Sequence, residues 1–176
     1  QLREKDVSAR ERYDIGREVR ELTRNAGVPL IVNDRVDLAA ALDADGVHLG
    51  DEDLPVPVAR ALLGEAAIIG RSVSFVDDAR AAEQAGADYL GVGAVYATGS
   101  KDDIDDDEYA IGTDRLADIV TAVDVPVVGI GGVTAETADG VIETGADGVA
   151  LITEITDADD PAAATRKLGD VVAESQ

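Results

Sequence analysis

The chain has 176 residues and a formal net charge of −22, from 37 acidic and 15 basic residues. This length suits one domain with a sizeable core, so we expect a single domain over residues 1–176. The charge excludes the basic surface that a nucleic-acid-binding protein needs. Because acidic residues are spread along every segment, we predict a halophilic, cytoplasmic protein whose surface stays hydrated at high salt.

Several residue types are absent, and their absence narrows the class further. The chain contains no Cys, Met or Trp, so it has no disulfide and no thiol chemistry. No apolar run approaches the length of a membrane span, and we expect neither a signal peptide nor membrane association. Its core must be built mainly from Ala, Val, Ile and Leu, which suits a closely layered α/β structure.

Hydrophobic periodicity predicts that helices and strands alternate along the chain. Ser8 and Glu11 form a capping box that begins the first helix, and Gly27 ends it. Further helices are predicted at 38–42, 55–63, 76–85, 114–123, 136–144 and 161–172. Strands are predicted at 28–32, 46–49, 67–70, 88–92, 125–130 and 147–151, with a polar loop over 96–112.

Three helix-to-strand connections, at 44–47, 86–89 and 145–148, share an Ala-Asp pair. They indicate one repeated βα unit and a parallel sheet covered by helices. With a strand stub at Gln1 and Leu2, the pattern is one βα unit short of eight. We therefore predict an α/β fold, a (β/α)8 TIM barrel that lacks its first βα unit in this chain. An open doubly wound sheet is the alternative, but it would usually carry one glycine-rich fingerprint near its start.

Two carboxylates follow neighbouring predicted strands, where ligands bind in parallel α/β folds. Asp34 follows the strand at 28–32, and Asp53 follows the strand at 46–49. Both could face one point, and two carboxylates with few other ligands suit Mg²⁺. The alternative is that each Asp caps a helix or anchors a loop.

Cations at strand ends are candidates for a phosphate clamp. Arg3 and Lys5 follow the strand stub, and Lys101 lies in a loop beside the hydroxyls of Thr98 and Ser100. Arg can bind two phosphate oxygens at once, and Lys acts as a point charge. In so acidic a chain, surface salt bridges are the alternative role for these cations.

A second phosphate pocket is suggested by Gly131 and Gly132, with the hydroxyl of Thr153 after the next strand. Paired glycines let backbone N–H groups approach a ligand, although a plain tight turn would use them too. His48 lies within an apolar strand, so we interpret it as a packed or hydrogen-bonded imidazole, not a catalytic base. Two anionic pockets favour chemistry driven by a phosphate leaving group, assisted by a metal.

On these residues the chain resembles the thiamine-phosphate synthase family of (β/α)8 enzymes. The resemblance covers essentially the whole chain, in order and at matching intervals. The matching pieces are residues 1–5, 33–35, 47–50, 52–55, 70–72, 98–101 and 129–132.

The resemblance implies a transferase that joins 4-amino-2-methyl-5-hydroxymethylpyrimidine diphosphate to a thiazole phosphate, releasing thiamine phosphate and pyrophosphate. It implies Mg²⁺ on Asp34 and Asp53, and catalysis by Arg3, Lys5 and Lys101. The residues implied for the pyrimidine diphosphate are Gln1, Leu2, Arg3, Glu4, Lys5, Asn33, Ser72 and Lys101. Those implied for the thiazole phosphate are Thr98, Gly99, Ser100, Gly132, Ile152 and Thr153. The expected partners are these small molecules, and a homo-oligomer is left open.

Two rival functions stay open on the sequence alone. A related thiazole tautomerase would not need the pair Asp34 and Asp53 or the clamp of Arg3 and Lys5. A non-catalytic phosphate-binding or regulatory protein would bind ligand without turnover. The segment 102–108 also departs from the family, because it is strongly acidic next to a phosphate pocket, and Gly99 stands where the family often has Pro. Since salt would screen this charge, we predict that activity needs high salt.

Overall fold

In the computed structural model, residues 1–97 and 110–175 are described, with side chains up to residue 173. Within them, helices and strands alternate as predicted. The strands are β1 (Ile31–Asn33), β2 (Gly46–Leu49), β3 (Ile68–Val73), β4 (Tyr89–Val92), β5 (Val127–Ile130) and β6 (Gly148–Ala150). The helices are α1 (Ala9–Ala26), α2 (Val36–Ala41), α3 (Val56–Leu63), α4 (Val76–Gln84), α5 (Gly112–Ala122), α6 (Ala138–Ile142), α7 (Thr153–Thr156) and α8 (Pro161–Ser175).

The chain forms two compact units, and the first comprises residues 1–72 and 84–89. In this unit β1, β2 and β3 pair in parallel, with His48 opposite both Asn33 and Gly70. The predicted strand stub also pairs in parallel, because Leu2 forms a bridge with Val32. The Leu2 N–H donates to the Ile31 carbonyl (2.8 Å), and the Leu2 carbonyl accepts from the Asn33 N–H (3.0 Å). This pairing fixes the segment that carries Arg3 and Lys5.

Small aliphatic side chains fill the core of the first unit. Val32, Val47, Leu49 and Ile69 are 0 % exposed. Helix α1 begins at the predicted cap, where the Ser8 hydroxyl accepts from the Glu11 N–H (3.2 Å). It ends at Gly27 in the left-handed conformation, as the sequence indicates.

The second unit comprises residues 73–83 and 90–176. Strands β4, β5 and β6 pair in parallel in chain order, with Leu90 opposite Val127 and Ile130 opposite Ala150. Leu116, Ile119 and Val141 are fully buried. The short helix α7 was not predicted from the sequence, and it carries Thr153 at its first position.

The three repeated connections share one hydrogen-bond arrangement, formed by an aspartate just before a strand. Asp45, Asp88 and Asp147, the amino-end aspartates, accept from the backbone N–H of Leu30 (2.7 Å), Ile69 (2.7 Å) and Val127 (2.8 Å), respectively. In each case the aspartate N–H donates to the carbonyl of the same residue, at 2.8–2.9 Å. Each pair of bonds fastens the amino ends of two successive strands, and it satisfies backbone groups that burial would otherwise leave unpaired.

These observations confirm the predicted α/β fold with parallel strands and helical connections. Six strands lie within the described part of the chain, equal to the predicted number. The complete (β/α)8 arrangement and the single domain remain predictions. None of the described helices has the length and apolarity needed to cross a membrane.

Candidate active site

Asp34 and Asp53, here called the carboxylate pair, come together in the first unit. Asp34 directly follows β1, and Asp53 lies in the turn after β2. The pKa of Asp53 is raised by burial and by the negative charge of Asp34, although the Gly50 N–H and Lys5 oppose the rise. The Lys5 ammonium lies 3.3 Å from an Asp34 carboxylate oxygen. Two carboxylates near enough for one to raise the pKa of the other favour a bound cation.

The backbone holds each member of the pair by specific hydrogen bonds. Asp34 is left-handed (φ +63°), and its N–H donates to the His48 carbonyl (2.8 Å). Asp tolerates this conformation better than most residues, and such strain clusters at functional sites. The Asp53 carboxylate accepts from the Gly50 N–H at 2.6 Å. Asp34 is therefore held through its backbone and Asp53 through its carboxylate, at the carboxyl ends of β1 and β2.

The donor set of the carboxylate pair fits Mg²⁺. Within residues 1–97 and 110–175, no cluster of three or more His, Cys, Asp or Glu could hold a metal. Mg²⁺ does not require such a cluster, because it is usually held by one or two carboxylates and keeps waters and phosphate oxygens. An open cavity of about 640 Å³ is lined by both members of the pair, and also by Arg35, Glu52 and Leu54. This volume leaves room for a phosphate-bearing ligand beside them.

The segment 1–5 places its side chains in different surroundings. The Leu2 side chain is 9 % exposed and belongs to the core, so only its backbone could meet a ligand. Gln1, Arg3 and Lys5 are exposed, and Glu4 accepts from the Asp6 N–H (3.3 Å). The structure thus brings Lys5 to the carboxylate pair, while Leu2 anchors the segment.

The Ser72 hydroxyl lies at one end of a hydrogen-bond network that the sequence did not reveal. This hydroxyl lies 2.8 Å from His48 Nε2, and His48 Nδ1 lies 2.9 Å from the Tyr89 hydroxyl. His48 is 9 % exposed, which confirms the interpretation of a buried, hydrogen-bonded imidazole. Burial raises the pKa of Tyr89 to about 12. Tyr89 was missed, although it lies in a predicted strand, where a buried tyrosine usually needs a hydrogen-bond partner for its hydroxyl.

The second unit carries the residues predicted for the other phosphate. Gly131 and Gly132 are both left-handed, with φ of +91° and +64°. A side chain at Gly132 would lie 2.5 Å from the Ala97 carbonyl oxygen, so the turn after β5 packs directly on the segment that leads into residue 98. Ile152 precedes α7 and is 39 % exposed, and Thr153 is exposed as well. The glycines are therefore explained by close packing, which a phosphate site would also use.

Other predicted site residues fall outside the part of the chain that the structure describes. They are Thr98, Gly99, Ser100 and Lys101, together with the acidic segment 102–108. Their roles stay predictions.

Comparison with known proteins decides the family. Residues 1–155 match the family described as thiamine monophosphate synthase. The chain belongs to this family. Thiamine-phosphate synthase of Haloarcula marismortui is 69% identical over 172 residues, covering 98% of this chain and 82% of the relative. The enzyme of the same name from Natronomonas pharaonis is 64% identical, covering 98% and 80%.

A solved structure agrees with these relatives. The thiamine phosphate pyrophosphorylase from Pyrococcus furiosus superposes with a TM-score of 0.88 at 42% identity, covering 98% of this chain and 81% of that one. The predicted family, and the prediction of a thiamine-phosphate synthase of the transferase class, are thereby confirmed.

Proposed function

We propose that this member of the thiamine monophosphate synthase family joins an aminopyrimidine diphosphate to a thiazole phosphate, with release of pyrophosphate. The observation that carries the proposal is the carboxylate pair with Lys5 beside it, held at the carboxyl ends of β1 and β2. A thiazole tautomerase has no diphosphate leaving group and would not need this arrangement. The synthase names of the relatives favour the same choice.

Asp34 and Asp53 would hold Mg²⁺, and the bound ion would offset the negative charge that develops on the departing diphosphate. Lys5 lies beside Asp34 and can bind a diphosphate oxygen directly. Arg3, two residues earlier, is exposed and is proposed to contact the same ligand. Asn33, Ser72 and Lys101 are the further residues proposed to contact this substrate, with Gln1, Leu2 and Glu4 from the same N-terminal segment.

The reaction we propose is a dissociative substitution. The bond between the pyrimidine methylene carbon and the diphosphate oxygen breaks, and its electron pair leaves with pyrophosphate. The electron-rich aminopyrimidine supports the resulting positive methylene until the thiazole nitrogen attacks it. Cations fixed around the leaving group favour the first step, because they interact most strongly when its charge has fully developed. The rest of the site needs to hold both partners close and exclude water.

The thiazole phosphate is proposed to bind in the second unit, at Thr98, Gly99, Ser100, Gly132, Ile152 and Thr153. The packing of Gly132 on Ala97 supports a shared role for the turn after β5 and the loop that begins at residue 98. The net charge of −22 and the relatives from Haloarcula and Natronomonas support a salt-adapted, cytoplasmic enzyme.

The test is a pyrophosphate-release assay with the purified chain in high salt. Release should require both substrates together and should stop when EDTA removes divalent cations. Binding of either substrate without turnover would favour a phosphate-binding protein and overturn the proposal. Turnover that is indifferent to EDTA would overturn the metal assignment.

A further inference from the structure

Tyr89, His48 and Ser72 form a hydrogen-bonded chain, here called the His48 relay. We propose that His48 is a positioning residue: its Nδ1 accepts a hydrogen bond from the Tyr89 hydroxyl and its Nε2–H donates one to Ser72, so that the Ser72 hydroxyl is left to donate to a diphosphate oxygen. The proposal rests on the proposed function in one respect, namely that Ser72 meets the diphosphate.

The geometry of the first unit brings the three residues onto one face. His48 on β2 pairs with Gly70 on β3, and Ser72 lies two residues further along β3. Because side chains alternate along a strand, His48 and Ser72 share a face. The two contacts, 2.9 Å and 2.8 Å, use both ring nitrogens of His48.

Gly70 makes the relay sterically possible. A side chain at Gly70 would overlap the ring carbons and the hydroxyl of Tyr89. The missing side chain lets the phenol cross β3 and bring its ring centroid to 5.4 Å from that of His48. The glycine in this buried strand is thus explained by the close approach of Tyr89.

The direction of the hydrogen bonds follows from the chemistry of the groups. A neutral imidazole donates from one nitrogen and accepts at the other. If Tyr89 donates to Nδ1, then Nε2–H donates to Ser72 and the Ser72 O–H is available for another acceptor. In the reverse direction, the Ser72 O–H donates to Nε2 and is not available to a ligand. Phosphate oxygens without protons only accept, so the first direction alone suits a diphosphate.

One observation supports the first direction, and another connects the relay with the carboxylate pair. Burial raises the pKa of Tyr89 to about 12, so the phenol keeps the proton that it must donate. The relay is also tied to the carboxylate pair, because the His48 carbonyl accepts from the Asp34 N–H (2.8 Å). Ser72 is half-buried at the carboxyl end of β3, where it can meet a ligand.

His48 is the chain's single histidine, which makes the tautomer measurable. In ¹⁵N-histidine-labelled protein, NMR should show the neutral ring protonated at Nε2. In Tyr89→Phe the donor to Nδ1 is lost, and the spectrum should shift toward the Nδ1–H form. An Nδ1–H ring in the wild-type protein, or a spectrum unmoved by Tyr89→Phe, would overturn the proposal. This measurement does not depend on turnover, so it separates failure of the relay from failure of the proposed function.

Kinetics then separate positioning from a purely structural role. Tyr89→Phe should lower kcat/KM for the pyrimidine diphosphate by about five- to tenfold, the loss of one oriented hydrogen bond. In the Ser72→Ala background the same change should have no further effect, because the relay has no end group to orient. Equal losses in both backgrounds would contradict the proposal. Tyr13→Phe on α1 is the matched control and should leave kcat/KM unchanged.

Discussion

Aspartates occupy both ends of the strands in the first unit, and their surroundings are opposite. At the amino ends, Asp45 and Asp88 each accept a hydrogen bond from a backbone N–H. Each also forms an ion pair with an arginine, Asp45 with Arg20 (2.5 Å) and Asp88 with Arg60 (2.6 Å). Although burial acts to raise the pKa of Asp45, the Leu30 N–H and Arg20 lower it overall. At the carboxyl ends, the pKa of Asp53 is raised instead.

This contrast separates stability from function by position along the strand. A carboxylate that accepts hydrogen bonds from a backbone N–H and from a guanidinium is satisfied by the protein itself. In the carboxylate pair, Asp53 accepts from the Gly50 N–H, and Asp34 is paired with Lys5, which is 55% exposed. The pair therefore favours a cation and a ligand, as expected for the carboxyl ends of strands in folds of this class.

The largest expected effect is on activity, from removing one charge of the carboxylate pair. Asp34→Asn keeps a residue that tolerates the left-handed backbone, and Asp53→Asn keeps an acceptor for the Gly50 N–H. Each should lower kcat by on the order of 100-fold or more, because the cation loses a ligand. Steady-state kinetics measure this, and thermal denaturation should show no loss of stability. Near-normal kcat in either variant would contradict the assignment of the carboxylate pair to function.

Asp45→Ala should act in the opposite way, on stability. It leaves the Leu30 N–H and the largely buried Arg20 side chain without their shared acceptor, so the free energy of unfolding should fall by on the order of 2–3 kcal/mol. Asp51→Ala is the matched control, since Asp51 is 91% exposed and should change stability by no more than about 0.5 kcal/mol. Denaturant titrations of both variants test this. Equal losses of unfolding free energy in the two variants would show that the hydrogen bonds of Asp45 do not stabilise the fold more than an exposed ion pair does.

Salt should raise activity severalfold by screening the negative charge of the segment 102–108. The segment 102–108 follows Lys101 in sequence, and we expect its charge to oppose phosphate binding until ions screen it. Initial rates measured from low to molar KCl should therefore increase before any plateau. A steady fall in rate from the lowest salt concentration would rule this explanation out.

The smallest expected effect is on the pH dependence of stability without Mg²⁺. Since the folded pKa of Asp45 is lowered, its stabilisation is present above the unfolded pKa and lost as pH falls through the folded pKa. Asp53 has the opposite sign, because burial and the charge of Asp34 raise its folded pKa, so that its ionised form destabilises the fold. As the pH is lowered from 7 to below the ordinary aspartate pKa of about 3.9, Asp45→Asn should progressively lose its deficit in stability, and Asp53→Asn should lose its advantage. Parallel curves for the two variants would contradict these assignments.

Much of the first unit could be predicted because its signals are local. The Ser8 cap, the Gly27 stop and the strand Gly46–Leu49 were predicted where they occur. The meeting of Asp34 and Asp53 also followed from the sequence, since parallel neighbouring strands end at one edge. These inferences needed only periodicity, capping chemistry and strand order.

The rest depends on contacts between strands that periodicity does not encode. The crossing of Tyr89 over Gly70 requires the register of β2 and β3 and the path of the chain at residue 89. The side-chain use of Asp45, Asp88 and Asp147 was hidden for the same reason, although their repeated connections were recognised. Strand β3 was predicted to end at residue 70, because Arg71 and Ser72 are polar, yet pairing continues through Arg71.

The central claim is that the carboxylate pair, and not the amino-end aspartates, holds a divalent cation. Mn²⁺ binding followed by electron paramagnetic resonance, in molar KCl with pyrophosphate present, tests it most directly. We predict one tight site per chain in the wild-type protein and in Asp45→Asn, and its loss in Asp34→Asn and in Asp53→Asn. Retention of that site in both Asp34→Asn and Asp53→Asn would contradict the claim.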